Sequence, residues 1–375
     1  MKIITKYLSL LLALFFISAC NSSTGFNNQK EGTTTSSGAS SAGGALTVFF
    51  TQPDANNAKT LTGGPETHLI AAIDKARISI DVAIYELSLK NVTQSLIRAH
   101  KRDVTVRVYT DSDHFSWKEF KALIKAGIAV KGDKRSALMH NKFTVIDNSQ
   151  VWTGSMNYTY NGAYHHDENL LRLDSLAAAL NYTEEFAQLW KGNHRQANTS
   201  DNVFNINNSI VKIHFSPDDH FRSNYLIPLL ASAKQSVHFM AFAFTSTDIA
   251  NTLVTLKQQG IEIKGVFDKS QSGQPYSQYD DLAKLNVDVL LDGNSYKLHH
   301  KVMIIDHRYV VTGSYNFTQN AESNNDENSL IIDSTNLAAI YEKEFSRVYQ
   351  QAKNKQARTA NSHYHIDTKD LLIAY

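Results

Sequence analysis

Apolar positions along the chain alternate between short continuous runs and helical spacings. Ile78-Ser79-Ile80-Asp81-Val82-Ala83-Ile84-Tyr85 and Val237 to Phe244 are short, mostly apolar and β-prone, which predicts strands. Val92 to Lys101 and Ile249 to Gln259 place apolar residues at helical spacing, and Val104 to Tyr109 and Ile261 to Phe267 read as the strands that follow. Strand, helix and strand in that order, met twice, predict an α/β protein with a mixed sheet in each lobe.

The first residues break this pattern. Lys2 and Lys6 precede an apolar run from Tyr7 to Ile17, followed by Ser18, Ala19 and Cys20, which reads as a signal peptide over residues 1–19. The run is short for a membrane span. Ile17-Ser18-Ala19-Cys20 resembles the bacterial lipobox, in which the chain is cut before the cysteine and the thiol is acylated. An ordinary signal peptide with an incidental cysteine is the alternative. Cys20 is the only cysteine, so no intramolecular disulfide can form, and lipid attachment explains it better than packing. Residues 20–45 are dominated by Ser, Thr, Gly and Asn and read as a flexible tether between a lipid and a folded domain. The resemblance implies a lipid-anchored protein of the bacterial cell envelope, with Asn21 pointing to the outer membrane in a Gram-negative cell. Secretion is expected if Cys20 stays free.

The 375 residues are 42% hydrophobic, enough for one large core or two moderate ones. Formal net charge is +1, and removal of Lys2 and Lys6 with the signal peptide makes it slightly negative. That balance lacks the basic excess of a broad DNA binder, although a local basic cleft can sit inside a neutral total.

An internal repeat organises the rest. Thr153-Gly154-Ser155-Met156-Asn157 matches Thr312-Gly313-Ser314-Tyr315-Asn316, and Asp167-Glu168-Asn169 matches Asp326-Glu327-Asn328 at the same offset. His140 and Lys142 match His299 and Lys301 without a gap, whereas upstream, where Asp111 matches Asp268, the offset is two residues shorter. The repeat divides the chain into a first lobe over 46–197, a polar, Asn-rich linker over 198–209, a second lobe over 210–352 and a tail over 353–375.

Met139-His140-Asn141-Lys142-Phe143-Thr144-Val145-Ile146-Asp147 and Leu298-His299-His300-Lys301-Val302-Met303-Ile304-Ile305-Asp306 both fit H-x-K-x4-D, and each continues into Gly-Ser-x-Asn. Six residue types at fixed spacing, occurring twice, are a specific signal. On a strand, His140 and Lys142 point to one face while Phe143 and Val145 point to the other, which predicts one chemical face and one core face. Asp147-Asn148-Ser149 is a turn signal. Gly154-Ser155 is expected to let the backbone approach a bound anion.

These motifs resemble the phospholipase D superfamily, and the resemblance runs from about Leu46 to Gln351. It implies two homologous lobes, each a mixed β-sheet flanked by helices, related by a pseudo-two-fold axis. The two motifs would meet in one active site, so a monomer suffices. The implied reaction is phosphodiester cleavage: His140 acts as nucleophile, forming a phosphohistidine, and His299 protonates the leaving group and then activates water. The reverse assignment stays open, because the repeat makes the two sites nearly equivalent. Lys142 and Lys301 would face the nonbridging oxygens, with amide donors from Asn157 and Asn316 and hydrogen bonds from Ser155 and Ser314. Glu168 and Glu327 would hold the imidazoles, and Asp147 and Asp306 would organise the hairpin turn.

No metal and no cofactor is assigned. His165-His166-Asp167 and His363-Tyr364-His365 read as exposed loop or tail, without a zinc-like partner set. Tyr85, Phe242, Tyr158 and Phe317 lie near the motifs, and as aromatics belong more often to a core than to a cleft. The expected substrate is a phospholipid at the membrane surface, reached through lipidated Cys20 and hydrolysed to phosphatidic acid and head group. An anchored endonuclease cleaving DNA or RNA is the main alternative, and a noncatalytic envelope-binding protein a further one.

Overall fold

β-branched and aromatic runs punctuated by Gly, Asn and Asp turns build two sheets in a computed structural model that describes residues 45–370, with side chains through Arg358. The signal peptide, Cys20, nearly all of the tether and the chain end beyond Asp370 lie outside the described residues.

The first sheet comprises β1 (Leu46–Phe50), β2 (Ser79–Ile84), β3 (Thr105–Thr110), β4 (Ala129–Gly132), β5 (Lys142–Ile146), β6 (Gln150–Gly154) and β7 (Asn169–Asp174). Their spatial order is β1-β7-β6-β5-β2-β3-β4. β2, β3 and β4 run parallel, the first two joined by the crossover helix Lys90–His100, while the β2–β5, β5–β6, β6–β7 and β7–β1 pairs are antiparallel. The second sheet contains β8 (Val203–Ile206), β9 (Ser209–Ser216), β10 (Ser236–Ala241), β11 (Glu262–Phe267), β12 (Asp288–Leu291), β13 (Lys301–Ile305), β14 (Tyr309–Gly313) and β15 (Glu327–Asp333), in the order β12-β11-β10-β13-β14-β15-β9-β8. The mixed sheet expected for each lobe is therefore present in both. Lys142 pairs with Ile84, and Lys301 with Ala241, so each motif strand adjoins the first parallel strand of its lobe.

Helices Leu176–Lys191 and Thr335–Asp370 each follow the last strand of their lobe. Their Tyr182, Phe186, Tyr341 and Phe345 join Phe143, Val145, Val302 and Ile304 in one central core shared by both lobes. The alternate residues Ile146, Met303 and Ile305 face separate outer cores, one per lobe. The motif strands are consequently buried on both faces. The face shared by Lys142 and Thr144 is chemical only at its first residue, since the Thr144 hydroxyl bonds the buried Tyr158 hydroxyl at 2.8 Å.

Two stretches depart from the expected organisation. Within the expected linker 198–209, β8 pairs with β9 across Asn207-Asn208, whose φ values of 48° and 59° suit a two-residue hairpin turn. The Asn richness is turn chemistry, and Phe204 and Ile206 of this hairpin enter the central core. The expected tail 353–375 instead continues helix Thr335–Asp370 well past Gln351.

Candidate active site

Each motif histidine sits just before its strand, and its backbone is pinned twice. The Met139 amide donates to the Asp111 carboxylate at 3.0 Å, and the Leu298 amide donates to Asp268 at the same distance. The next amides reach into the opposite lobe: that of His140 donates to the Asp326 carbonyl and that of His299 to the Asp167 carbonyl, both at 3.0 Å. The return bonds run from Asp326 to Leu138 and from Asp167 to Lys297, each at 2.9 Å. Short cross-lobe ladders thus bring both motifs to one centre.

The side chains follow the same exchange. His140 Nδ1 lies 2.9 and 2.8 Å from the two oxygens of Glu327, and His299 Nδ1 lies 2.7 Å from Glu168 Oε1. A carboxylate acceptor at Nδ1 places the ring proton there and leaves the Nε2 lone pair free to act. Both histidines are only 6% exposed, so solvent reaches little of either ring. Lys142 Nζ donates to the His140 carbonyl and Lys301 Nζ to the His299 carbonyl, both at 2.7 Å.

Burial dominates the electrostatics. It lowers His140 to about 4 against the pull of Glu327. Burial likewise holds His299 well below the ordinary imidazole value, with Glu168 opposing and Lys301 adding to the effect. For Glu168, burial works upward, but the nearby His299, His166 and Lys301 outweigh it and keep the carboxyl well below its usual range. Burial brings Lys142 down to about 8 and Lys301 to about 7, with Glu327 and Glu168 resisting in both cases. A compact group of two imidazoles, two ammonium groups and two carboxylates is equipped to handle an anion and a proton together.

A family model described as the cardiolipin synthase, PLD-like domain matches residues 69–190 and again residues 226–349. The chain belongs to the phospholipase D-like family. It is 34% identical over 127 residues to the mitochondrial cardiolipin hydrolase of Xenopus laevis, covering 33% of this chain and 60% of that protein. It is 32% identical over 119 residues to the phospholipase D of Rickettsia typhi, covering 32% and 58% respectively. The chain thus spans about 60% of the length of the curated relatives it matches. The crystal structure of phosphatidylserine synthase from Haemophilus influenzae shares the fold, with a TM-score of 0.59 and 13% identity over 87% of this chain and 94% of that one.

Within this phospholipase D-like frame the two halves of the site differ. Ser155 Oγ and Ser314 Oγ each accept from a strand amide at 3.0 Å, of Asn169 and Asn328 respectively, but Ser314 Oγ also donates to Glu327 at 2.6 Å, and Ser155 makes no such bond to Glu168 among the described contacts. Asn157 and Asn316 each have a buried Oδ1 that no described group satisfies, and Asn157 in addition gives its amide to Glu86 at 2.9 Å. Tyr85 packs edge-on against His140 with Lys142 over its ring, and Phe242 does the same for His299 and Lys301. These two aromatics line the site, while Tyr158 and Phe317 belong to the outer cores.

One sequence reading is extended by the structure and two are corrected. Asp147 and Asp306 tie the hairpin to the start of the neighbouring strand, accepting from the amides of Arg77, Ile78 and Ser79 and of Lys234, Gln235 and Ser236. Gly154 and Gly313, with φ of 140° and 142°, bring the backbone against strand carbonyls, not against a ligand: an added Cβ would lie 2.4 Å from Asn169 O and 2.2 Å from Asn328 O. The His165-His166-Asp167 segment is no exposed loop. Asp167 is fully buried on Arg347 and Asn294, and His166 Nδ1 lies 3.8 Å from Glu168. Ligand atoms of His166, Glu168 and His299 fall within 4.8 Å of one another, so this set could accept a cation. The sequence signal was present, but only the fold supplies partners from the other lobe. The side chains of His363-Tyr364-His365 lie outside the described residues.

Proposed function

We propose that the protein is a phosphodiesterase that works through a phosphohistidine and hydrolyses phospholipids to phosphatidic acid and head group. The observation that carries this reading is the reciprocal seating of His140 on Glu327 and His299 on Glu168, which leaves two Nε2 atoms available beside two buried lysines. In the first step the Nε2 lone pair of His140 forms a bond to phosphorus, the bond to the leaving oxygen breaks, and that oxygen takes a proton from His299. In the second step His299 takes a proton from water, whose oxygen attacks phosphorus and breaks the P–N bond. The opposite division of roles fits the same geometry.

Lys142 and Lys301 meet the nonbridging oxygens, and the negative charge of a bound phosphodiester offsets the burial that lowers the pKa values of lysines and imidazoles alike. These fixed positive charges do the work that a divalent cation does in other phosphoryl-transfer sites, so turnover is expected to persist in EDTA. The phospholipid substrate is supported by the names of the relatives, a cardiolipin hydrolase and a phospholipase D, and by the near-neutral charge of the chain. No helix among the described residues is long and apolar enough to cross a membrane. Acylated Cys20 would supply the attachment, placing the protein on a bacterial envelope membrane.

The test is turnover by the mature protein in EDTA on phosphatidylcholine, phosphatidylethanolamine and cardiolipin vesicles, in parallel with single- and double-stranded DNA. Release of head group or phosphatidic acid, lost in both His140→Ala and His299→Ala, supports the proposal. DNA cleavage with intact lipid makes the protein an anchored nuclease, and silence on every substrate brings the noncatalytic reading forward. Acid quenching with a labelled nitrophenyl phosphodiester, whose leaving group needs no proton, assigns the nucleophile, since with that substrate only loss of the attacking histidine removes the trapped phosphoenzyme.

A further inference from the structure

A second convergence of ligating side chains lies in the second lobe, outside the catalytic group. His238 on β10, His307 in the β13–β14 turn and Glu342 on helix Thr335–Asp370 meet there. The Nδ1 atoms of the two histidines each sit 2.8 Å from a different oxygen of Glu342. All three ligand atoms lie within 4.8 Å of one another.

The remaining nitrogens are already engaged. His238 Nε2 lies 2.9 Å from Glu262 Oε1, and His307 Nε2 lies 3.3 Å from the Ser236 hydroxyl. A metal-bound imidazole characteristically donates its second N–H to a carboxylate or other oxygen, which sets the tautomer and the ring orientation. The His238 ring is held further by stacking on Phe345 at 4.6 Å and 8°. His238 is buried while the His307 side chain is 53% exposed, so the site has a fixed inner ligand and an open side toward solvent.

The internal repeat supplies a control. In the first lobe the matching positions are Asp81, Asn148 and Thr183, where Asp81 pairs with Arg107 and the Thr183 hydroxyl approaches Asn148 at 3.5 Å. The same scaffold therefore stands without the histidines, and folding alone does not demand them.

We propose that His238, His307 and Glu342 form a zinc-class divalent metal site that fastens the long C-terminal helix to the second sheet. Two imidazoles and one carboxylate with a free fourth position suit Zn²⁺ in preference to Mg²⁺ or Ca²⁺. Tetrahedral zinc with ligands at about 2.0–2.2 Å sets neighbouring ligand atoms roughly 3.3 Å apart, so the 2.8 Å contact of one Nδ1 with the ligating Glu342 oxygen opens by about half an ångström on binding, and the other Nδ1 turns from the second oxygen to the metal. Coordination displaces the Nδ1 protons to solvent. Because the three ligands come from a strand, a turn and a helix, the metal stabilises the folded chain over the unfolded one.

The experiment is calorimetric titration of the chelator-treated, desalted mature protein with Zn²⁺, with Co²⁺ absorption reporting tetrahedral geometry. One equivalent is expected to bind and to raise the unfolding temperature. His307→Ala, on an exposed turn, and Glu342→Gln should each weaken binding by about 100-fold or more, and Glu262→Gln by about 10–100-fold. Phosphodiesterase turnover in EDTA should match wild type in His307→Ala. Undiminished binding in His307→Ala, absence of binding at micromolar Zn²⁺, or loss of the bound equivalent in His166→Ala would each overturn the proposal, the last by moving the metal to the catalytic group.

Discussion

His140 shows how much of this site depends on charge rather than on shape. Replacing Glu327 with Gln preserves an oxygen acceptor 2.8–2.9 Å from Nδ1 but removes the negative charge that steadies the imidazolium as it forms. A fall in kcat on the order of 10²–10⁴-fold with little change in KM is expected, measured by steady-state turnover. The pH profile follows from the same burial. Above about 4 the His140 imidazole is neutral and able to attack, whereas Lys301 loses its proton as pH rises through about 7 and Lys142 through about 8. The value of kcat/KM should therefore rise as pH rises through the acid limb and fall on the alkaline side, first as His299, held well below the ordinary imidazole value, loses the proton it must donate and then as the lysines lose theirs; Lys301→Arg should remove the component near 7 and leave that of Lys142 near 8. The four His and Lys positions were legible because a repeated motif at fixed spacing is hard to produce otherwise. The partnership of each histidine with the other lobe's glutamate was not, since spacing along a chain carries no information on which copy reaches across. For the same reason His166, though singled out in the sequence, read as exposed loop.

At the scale of elements, the lobes are held by part-buried ion pairs beside the cross-lobe ladders. Arg135 of the first lobe grips Asp326 at 2.7 and 2.9 Å, and Arg347 of the second grips Asp167. Arg135→Ala should cost about 2–3 kcal/mol in urea denaturation, below the roughly 3–5 of a fully buried pair because the Arg135 side chain keeps 21% of its surface in solvent. Gly313→Ala forces a Cβ against the Asn328 carbonyl at a φ that side chains avoid, so it should destabilise the fold by at least about 1–3 kcal/mol, read as a lowered midpoint in urea denaturation. The strands β2, β3, β10 and β11 and their crossover helices were readable from apolar periodicity. β8 was not, because Val203–Ile206 is short and flanked by Asn, Asp and Ser that read as linker. The helix past Gln351 was likewise missed, its Lys, Asn and Gln content being compatible with helix but empty of any apolar stripe that would announce one.

For the whole molecule, both motifs and both carboxylates come from one chain, so the site needs no second copy to complete it. A mixture of His140→Ala and His299→Ala proteins should remain as inactive as either alone; recovery of turnover on mixing would mean that lobes exchange between chains. The two-lobe plan was visible in the repeat, while the shared central core could not be read from it, because Phe143, Tyr182, Leu330 and Tyr341 carry no mark of which lobe they will face.

The reciprocal seating of the two histidines also constrains how such a chain can change over generations. A duplicated segment ordinarily gains freedom, because one copy can keep the old task while the other drifts. Here a substitution at Glu168 in the first copy is felt at His299 in the second, and one at Glu327 is felt at His140 in the first. Neither half owns a complete proton-handling pair, so the two copies are inherited as a single unit, and only paired changes leave the chemistry intact.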